Sequence, residues 1–205
     1  INEKEAWYRL TGKFNASNLL LVYGIAFLLE ENTSQIITAL SKVGRVKGRF
    51  ELIKSKRGII GIIDYAHTPD ALINTLNSTN GIRTKNEQLF TVFGCGGNRD
   101  KAKRPVMGKV AAALSDKVII TSDNPRNENP EDIIQDIVLG IPAEHKKKAI
   151  SITAREQAIL TAVSMAQSGD IILIAGKGHE DYQEIMGVKY PFDDKDILEK
   201  AFNQL

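Results

Sequence analysis

From residue 48 onward, apolar runs of strand length alternate with segments of helical period, and few folds tolerate that order. Ile59 to Ile63, Leu89 to Phe93, Lys117 to Thr121, Ala149 to Ile152 and Ile171 to Ala175 read as strands. Between them, Pro69 to Leu76, Lys103 to Leu114, a segment opening at Pro130, and Ala154 to Gln167 read as helices. Strands separated by whole helices must cross over rather than turn back, which gives an α/β fold: a mostly parallel sheet with helices on both faces. Pro130 suits a first helical position, with Asn129 as its cap. Tyr182 to Phe192, two short runs around Gly187, reads as a C-terminal hairpin, and Asp194 to Phe202 as a last helix.

The first 43 residues differ in character. Asn15 or Ser17 is expected to cap a helix through Leu19, Val22, Ile25 and Leu29, and Thr33 a second through Ile36 and Leu40. The glycine- and cation-rich stretch from Gly44 to Arg49 then marks a boundary, giving domains 1–43 and 44–205. The apolar stretch Leu19 to Leu29 is too short for a membrane span and reads as a buried helix. The chain starts at Ile1 inside a charged run, as expected of a piece cut from something longer, and no secretory signal precedes the first helix.

Hydrophobic residues make up 42% and charged residues 25%, with no biased tract, which excludes a disordered or fibrous chain. A net charge of +2 is too balanced for bulk electrostatic grip on nucleic acid but leaves room for a local anion site. The single cysteine, Cys95, fits a reducing compartment, the cytoplasm by default, and reads as a packing residue between glycines.

In parallel sheets ligands gather at the carboxyl ends of strands. Polar clusters fall there four times: Asp64 to Asp70, Gly94 to Asp100, Asp123 to Arg126 and Gly176 to Glu180. Gly94, Gly96 and Gly97 form either a loop that lets backbone amides approach a ligand or a plain tight turn; no Walker motif occurs and Arg99 stands where a dinucleotide loop needs its last glycine. Arg99 and Arg126 are forked cations able to hold carboxylates, unless each merely pairs with a neighbouring acid. Pro125 stiffens the loop before Arg126, and Glu180 supplies the opposite sign, so a zwitterionic ligand fits. Asp64 either touches a nucleotide and its magnesium, with His67, or caps the helix at Pro69. His67, His145 and His179 are too unevenly spaced, with no second cysteine, for a structural zinc site, so no metal ligands are expected. Lys146 to Lys148 reads as a solvated turn.

Taken together, Gly48-Arg49-Phe50-Glu51, Asp64-Tyr65-Ala66-His67-Thr68-Pro69-Asp70, Gly94-Cys95-Gly96-Gly97-Asn98-Arg99, Asp123-Asn124-Pro125-Arg126 and Gly176-Lys177-Gly178-His179-Glu180 resemble the C-terminal part of a Mur ligase, in order along nearly the whole chain. The resemblance implies a Rossmann-like amino-acid-binding domain, preceded by a helical remnant of the central ATPase domain. It implies an ATP- and Mg2+-dependent amide-bond ligase of peptidoglycan synthesis, working through an acyl phosphate. The diaminopimelate-adding branch fits best: it would join meso-diaminopimelate to UDP-N-acetylmuramoyl-L-alanyl-D-glutamate. By resemblance the amino acid is held by Arg99, Asp123, Asn124, Pro125, Arg126, Gly176 and Glu180, and the nucleotide by Asn18, Arg49, Asp64 and His67. Lysine-adding relatives resemble this motif with a small residue at the position of Arg126, so that arginine carries the substrate expectation. The P-loop, the carbamylated lysine and the UDP-binding domain of the family have no counterpart in this sequence. No catalytic side chain is expected here, and the chain alone is expected to be inactive. The competing readings are a lysine-adding, folylpolyglutamate or cyanophycin ligase, and a noncatalytic amino-acid-binding module.

Overall fold

The computed structural model describes residues 7, 8, 10, 13–44, 46–84 and 86–205. Arg45 of the boundary stretch lies outside the described residues. The chain forms two compact units, Ile1–Val46 and Lys47–Leu205.

The first unit holds α1 (Lys13–Leu28) and α2 (Thr33–Ser41). α1 begins before both expected caps, so Asn15 and Ser17 lie inside its first turns. The cap of α2 is Asn32 rather than Thr33: its side chain accepts from the amides of Ser34 and Gln35. Leu19, Tyr23, Ile36 and Leu40 bury one another between the two helices.

The second unit is built on a six-stranded sheet of β1 (Glu51–Lys54), β2 (Ile60–Asp64), β3 (Leu89–Phe93), β4 (Lys117–Ile120), β5 (Ala149–Ser151) and β6 (Ile171–Ala175). Its order is β1-β2-β6-β3-β4-β5, parallel except for the antiparallel edge pair β1–β2. β6, last in sequence, inserts between β2 and β3, in register from Ile60 opposite Ile171 and Leu89 opposite Ile171. The central strands are apolar at nearly every position because both faces are covered. On one face Ile63, Val92, Ile172 and Ile174 pack with α6 (Arg155–Met165) and α7 (Asp194–Asn203) through Ala158, Ile159, Leu198 and Phe202. Residues of the other parity, such as Ile62, Phe93 and Leu173, are as fully buried and turn to the face of α3 (Pro69–Ile82), α4 (Lys103–Leu114) and α5 (Pro130–Leu139).

Local chemistry fixes the helix starts. Thr68 accepts from the amide of Ala71 and Pro69 follows as first residue of α3, while Asn129 and Pro130 do the same for α5. Thr68, not Asp64, is therefore the α3 cap. A 3-10 turn, Ala143–Lys148, holds the lysine run and leads into β5. β7 (Tyr182–Ile185) and β8 (Val188–Pro191) form the separate C-terminal hairpin.

Candidate functional site

β2, β6, β3 and β4 lie side by side, so their carboxyl ends bring the four polar clusters to one rim. There the second unit opens into a cleft of about 810 Å³. Its walls include His67 after β2, the Gly94-Cys95-Gly96 turn and Arg99 after β3, Asp123, Asn124 and Arg126 after β4, and Gly176 and Glu180 after β6.

The glycines permit contacts that no side chain would. A Cβ on Gly97 would stand 1.9 Å from the carbonyl oxygen of Pro125, and one on Gly176, at φ +117°, 2.6 Å from Asp123 Oδ2. The β3 and β4 loops thus touch backbone to backbone, and the Gly97 amide donates to the Asn124 carbonyl at 2.9 Å. Pro125 serves this contact rather than the cleft wall.

Asn124 is buried and engaged at both ends of its amide: its Nδ2 donates to Glu180 Oε2 at 2.9 Å, and its Oδ1 accepts from Lys177 Nζ at 2.9 Å and from the Glu184 amide at 3.0 Å. Lys177 has no exposed side-chain surface and stands 3.6 Å from Asp123 and 3.5 Å from Glu180. Arg126 adopts a left-handed backbone, φ +51°. Its Nε donates to Glu184 Oε2 at 3.1 Å and one Nη to the Gly97 carbonyl at 2.9 Å. Arg99 is exposed on the cleft and makes no ion pair among the described residues. Cations and carboxylates therefore line one cleft.

The nucleotide candidates divide. Arg49 lies with its guanidinium 4.6 Å from the centre of the Tyr65 ring, and the exposed His67 sets its ring against another edge of that tyrosine, 4.5 Å between centres. Asp64 is buried, and three donors occupy it: the Phe50 amide at 2.8 Å, the Ala66 amide at 3.0 Å and the Thr75 hydroxyl at 2.9 Å. Burial outweighs these donors and pushes its carboxyl above the usual range. It ties the loop carrying Arg49 to β2, and does not border the cleft. Asn18 is an exposed residue of α1, in the first unit. Among the described residues no group of three or more His, Cys, Asp or Glu side chains is placed to hold a metal ion. Cys95 is buried with its thiol pushed up to about 12, chiefly by burial, so it packs and does not react.

A family model described as Mur ligase, glutamate ligase domain matches residues 48–178, which takes in the rim up to Gly178 and stops short of Glu180. The chain belongs to that family. It is 54% identical over 202 residues to the UDP-N-acetylmuramoyl-L-alanyl-D-glutamate--2,6-diaminopimelate ligase of Bacteroides thetaiotaomicron, covering 98% of this chain and 42% of that protein. A solved structure of a ligase of the same name matches with a TM-score of 0.73 at 40% identity, over 97% of this chain and 40% of the other. The UDP-N-acetylmuramate-alanine ligase of Thermotoga maritima, 19% identical, shares the fold with a TM-score of 0.66 over 98% of this chain and 40% of its own. The chain spans about 42% of the length of the curated relatives it matches.

Several residues of this Mur ligase rim escape a sequence reading. Lys177 sits between glycines and reads as a loop cation, yet it is wholly buried. Glu184 lies 58 residues from Arg126. Arg155, also without exposed surface, holds both oxygens of Asp194 at 2.8 Å and the Ala175 carbonyl at 3.0 Å, bracing the end of β6. Arg104 does the same for the β3 loop, forking onto Glu128 at 3.0 Å and reaching Asp136 at 2.9 Å. No local pattern marks these arginines, since both stand in the first turn of a helix, where a cation normally faces water.

Proposed function

We propose that the chain is the amino-acid-binding part of an ATP-dependent ligase that adds meso-diaminopimelate to UDP-N-acetylmuramoyl-L-alanyl-D-glutamate. The observation that carries this reading is Arg126, whose fork stands on the same cleft as Asp123 and Glu180. Meso-diaminopimelate presents two carboxylates and two ammonium groups. Arg126 is assigned to the carboxylate that L-lysine lacks, Arg99 to the other, and Glu180 and Asp123 to an ammonium, with Asn124 and Gly176 shaping the wall and Pro125 fixing the loop that carries Arg126. Lysine would leave the donors of Arg126 that Glu184 and Gly97 do not hold without a partner, at a cost of about 1–3 kcal/mol.

The nucleotide is assigned to Arg49 and His67. Their contacts with Tyr65, Arg49 over the ring and His67 edge-on, give a cation and a polar ring a fixed place, which suits a phosphate-bearing ligand. Asp64, with both oxygens engaged, acts on it only through the backbone at Phe50. Asn18 is assigned to the nucleotide from the first unit, taken as the closing part, residues 1–43, of a central ATP-binding domain. ATP, with magnesium on its phosphates, supplies the phosphoryl group that activates the accepting carboxylate. The chain's own residues contribute positioning and charge neutralisation, for which no side-chain nucleophile is needed. No described helix is long and apolar enough to cross a membrane, and a cytoplasmic site of action agrees with the single buried cysteine.

Amide-shift NMR titration of the chain with meso-diaminopimelate and, separately, L-lysine tests the reading. Shifts at Arg99, Arg126 and Glu180 with diaminopimelate alone are expected. Equal responses to both ligands, or none to either at millimolar concentration, reject it.

A further inference from the structure

The C-terminal hairpin is wired almost residue by residue to the loop after β4. Gln183 Nε2 donates to the Asp123 carbonyl at 2.6 Å, and the Glu184 amide to Asn124 Oδ1 at 3.0 Å. The Arg126 amide donates to the Glu184 carbonyl at 3.0 Å, and its own carbonyl accepts from the Met186 amide at 2.8 Å. Residue 126 is therefore a one-residue strand beside β7, bridged to Ile185, and held at a backbone φ of +51° that an arginine rarely adopts. The guanidinium is fixed as well. Glu184 Oε2 takes Nε at 3.1 Å and the Gly97 carbonyl takes one Nη at 2.9 Å. Both side chains of this ion pair are about three-quarters buried. With Nε–H and one N–H of an Nη so engaged, the other three N–H donors of the fork, two of them on the second Nη, are left for a ligand in the cleft that Arg126 borders.

We propose that Glu184 is a positioning residue: it orients the Arg126 fork so that its remaining donors meet a ligand carboxylate, and the hairpin is the clamp on which substrate selectivity depends. The inference rests on the diaminopimelate reading above. A freely rotating arginine must give up side-chain freedom when it binds, and a pre-oriented one has already given it up. The effect is confined to ligands that carry the second carboxylate, because only those meet Arg126. Glu184 acts through its hydrogen bond, so an amide of the same shape keeps most of the function.

The test uses the chain with Glu184→Ala and Glu184→Gln, titrated with meso-diaminopimelate and L-lysine, with the Arg126 Nε–H resonance followed before ligand is added. Glu184→Ala is expected to lose the shifted, slowly exchanging Nε–H signal and to bind diaminopimelate about tenfold more weakly with its response to lysine unchanged. Glu184→Gln is expected to stay within about threefold of the parent. Selective binding by the parent with unaltered affinity in a folded Glu184→Ala overturns this inference alone, as does a tenfold loss of diaminopimelate binding in Glu184→Gln. A parent chain that fails to select diaminopimelate overturns the functional reading and this inference with it. Should Glu184→Ala not fold, the Gln variant decides: a tenfold loss there contradicts action through the hydrogen bond.

Discussion

Lys177 is the residue whose removal should disturb the rim most. Its ammonium has no exposed surface and faces Asn124 Oδ1, Asp123 and Glu180, with the Tyr182 ring 5.6 Å away. Replacing it by methionine keeps the volume but leaves two carboxylates, each largely buried, facing each other without a cation. Lys177→Met should cost about 3 kcal/mol in urea unfolding and abolish the diaminopimelate response. A variant as stable as the parent would mean that water already screens those acids. The same residue marks where sequence reading stops. Arg126 was legible because a forked cation after a stiff Asn-Pro pair is a local pattern. Lys177 and Glu184 were not, because what gives them a role is a set of partners 53 and 58 residues away.

At the scale of elements, the order of strands and helices was readable and its exceptions have physical causes. β1 was missed because Glu51-Leu52-Ile53-Lys54 has only two apolar residues, enough for an antiparallel edge strand that is covered less than the central ones. α3 runs to Ile82, past the expected end at Leu76, through Asn77-Ser78-Thr79-Asn80-Gly81, poor helix formers on propensity. Tertiary contacts carry it: Thr79 is buried with its hydroxyl on the Thr75 carbonyl, and Asn80 donates to the Leu114 carbonyl at the end of α4. The contact between the β3 and β4 loops is likewise invisible in sequence, where Gly97 is one glycine among three. Since a Cβ there would meet the Pro125 oxygen at 1.9 Å, Gly97→Ala must push the two loops apart and break the Gly97 bonds to Asn124 and Arg126. We expect a loss of at least ~2 kcal/mol in stability with chemical-shift changes spreading from Gly94 to Glu184. Changes confined to residues 96–98 would show that the β4 loop does not depend on the contact.

Over the whole molecule, two properties follow from how charge and apolar surface are distributed. Four carboxyls are held below their ordinary values of 3.8 or 4.5. In Glu51, Asp116 and Asp193 burial opposes the shift and is outweighed by donation from Lys195, Arg83 and Lys47, while Glu128 is lowered first by the Asn98 amide. A lowered carboxyl contributes stability that is complete above its unfolded value and lost as the pH falls through the folded one. Asp64, raised by burial, has the opposite sign: the cost of ionising it sets in as the pH rises through its unfolded value. Four against one predicts a urea midpoint that falls on acidification below about pH 4.5, with a smaller fall in Asp193→Asn; a midpoint flat down to pH 3 would contradict the balance. The second property concerns the two units. The unit Lys47–Leu205 contains a sheet covered on both faces and the entire cleft, so its stability has its own source. In Ile1–Val46 the shared core is essentially Leu19, Tyr23, Ile36 and Leu40, while Leu20, Leu21, Val22, Ile25, Phe27 and Leu28 of α1 are each at least half exposed. So much apolar surface on one helix is a place for a hydrophobic dye to bind. A chain beginning at Lys47 should therefore melt within about 3 °C of the parent, keep its amide spectrum around Arg99, Arg126 and Glu180, and lose most of the parent's binding of a hydrophobic dye. A fall of more than about 10 °C would mean that the sheet unit leans on the first two helices, and undiminished dye binding would place the exposed apolar surface elsewhere.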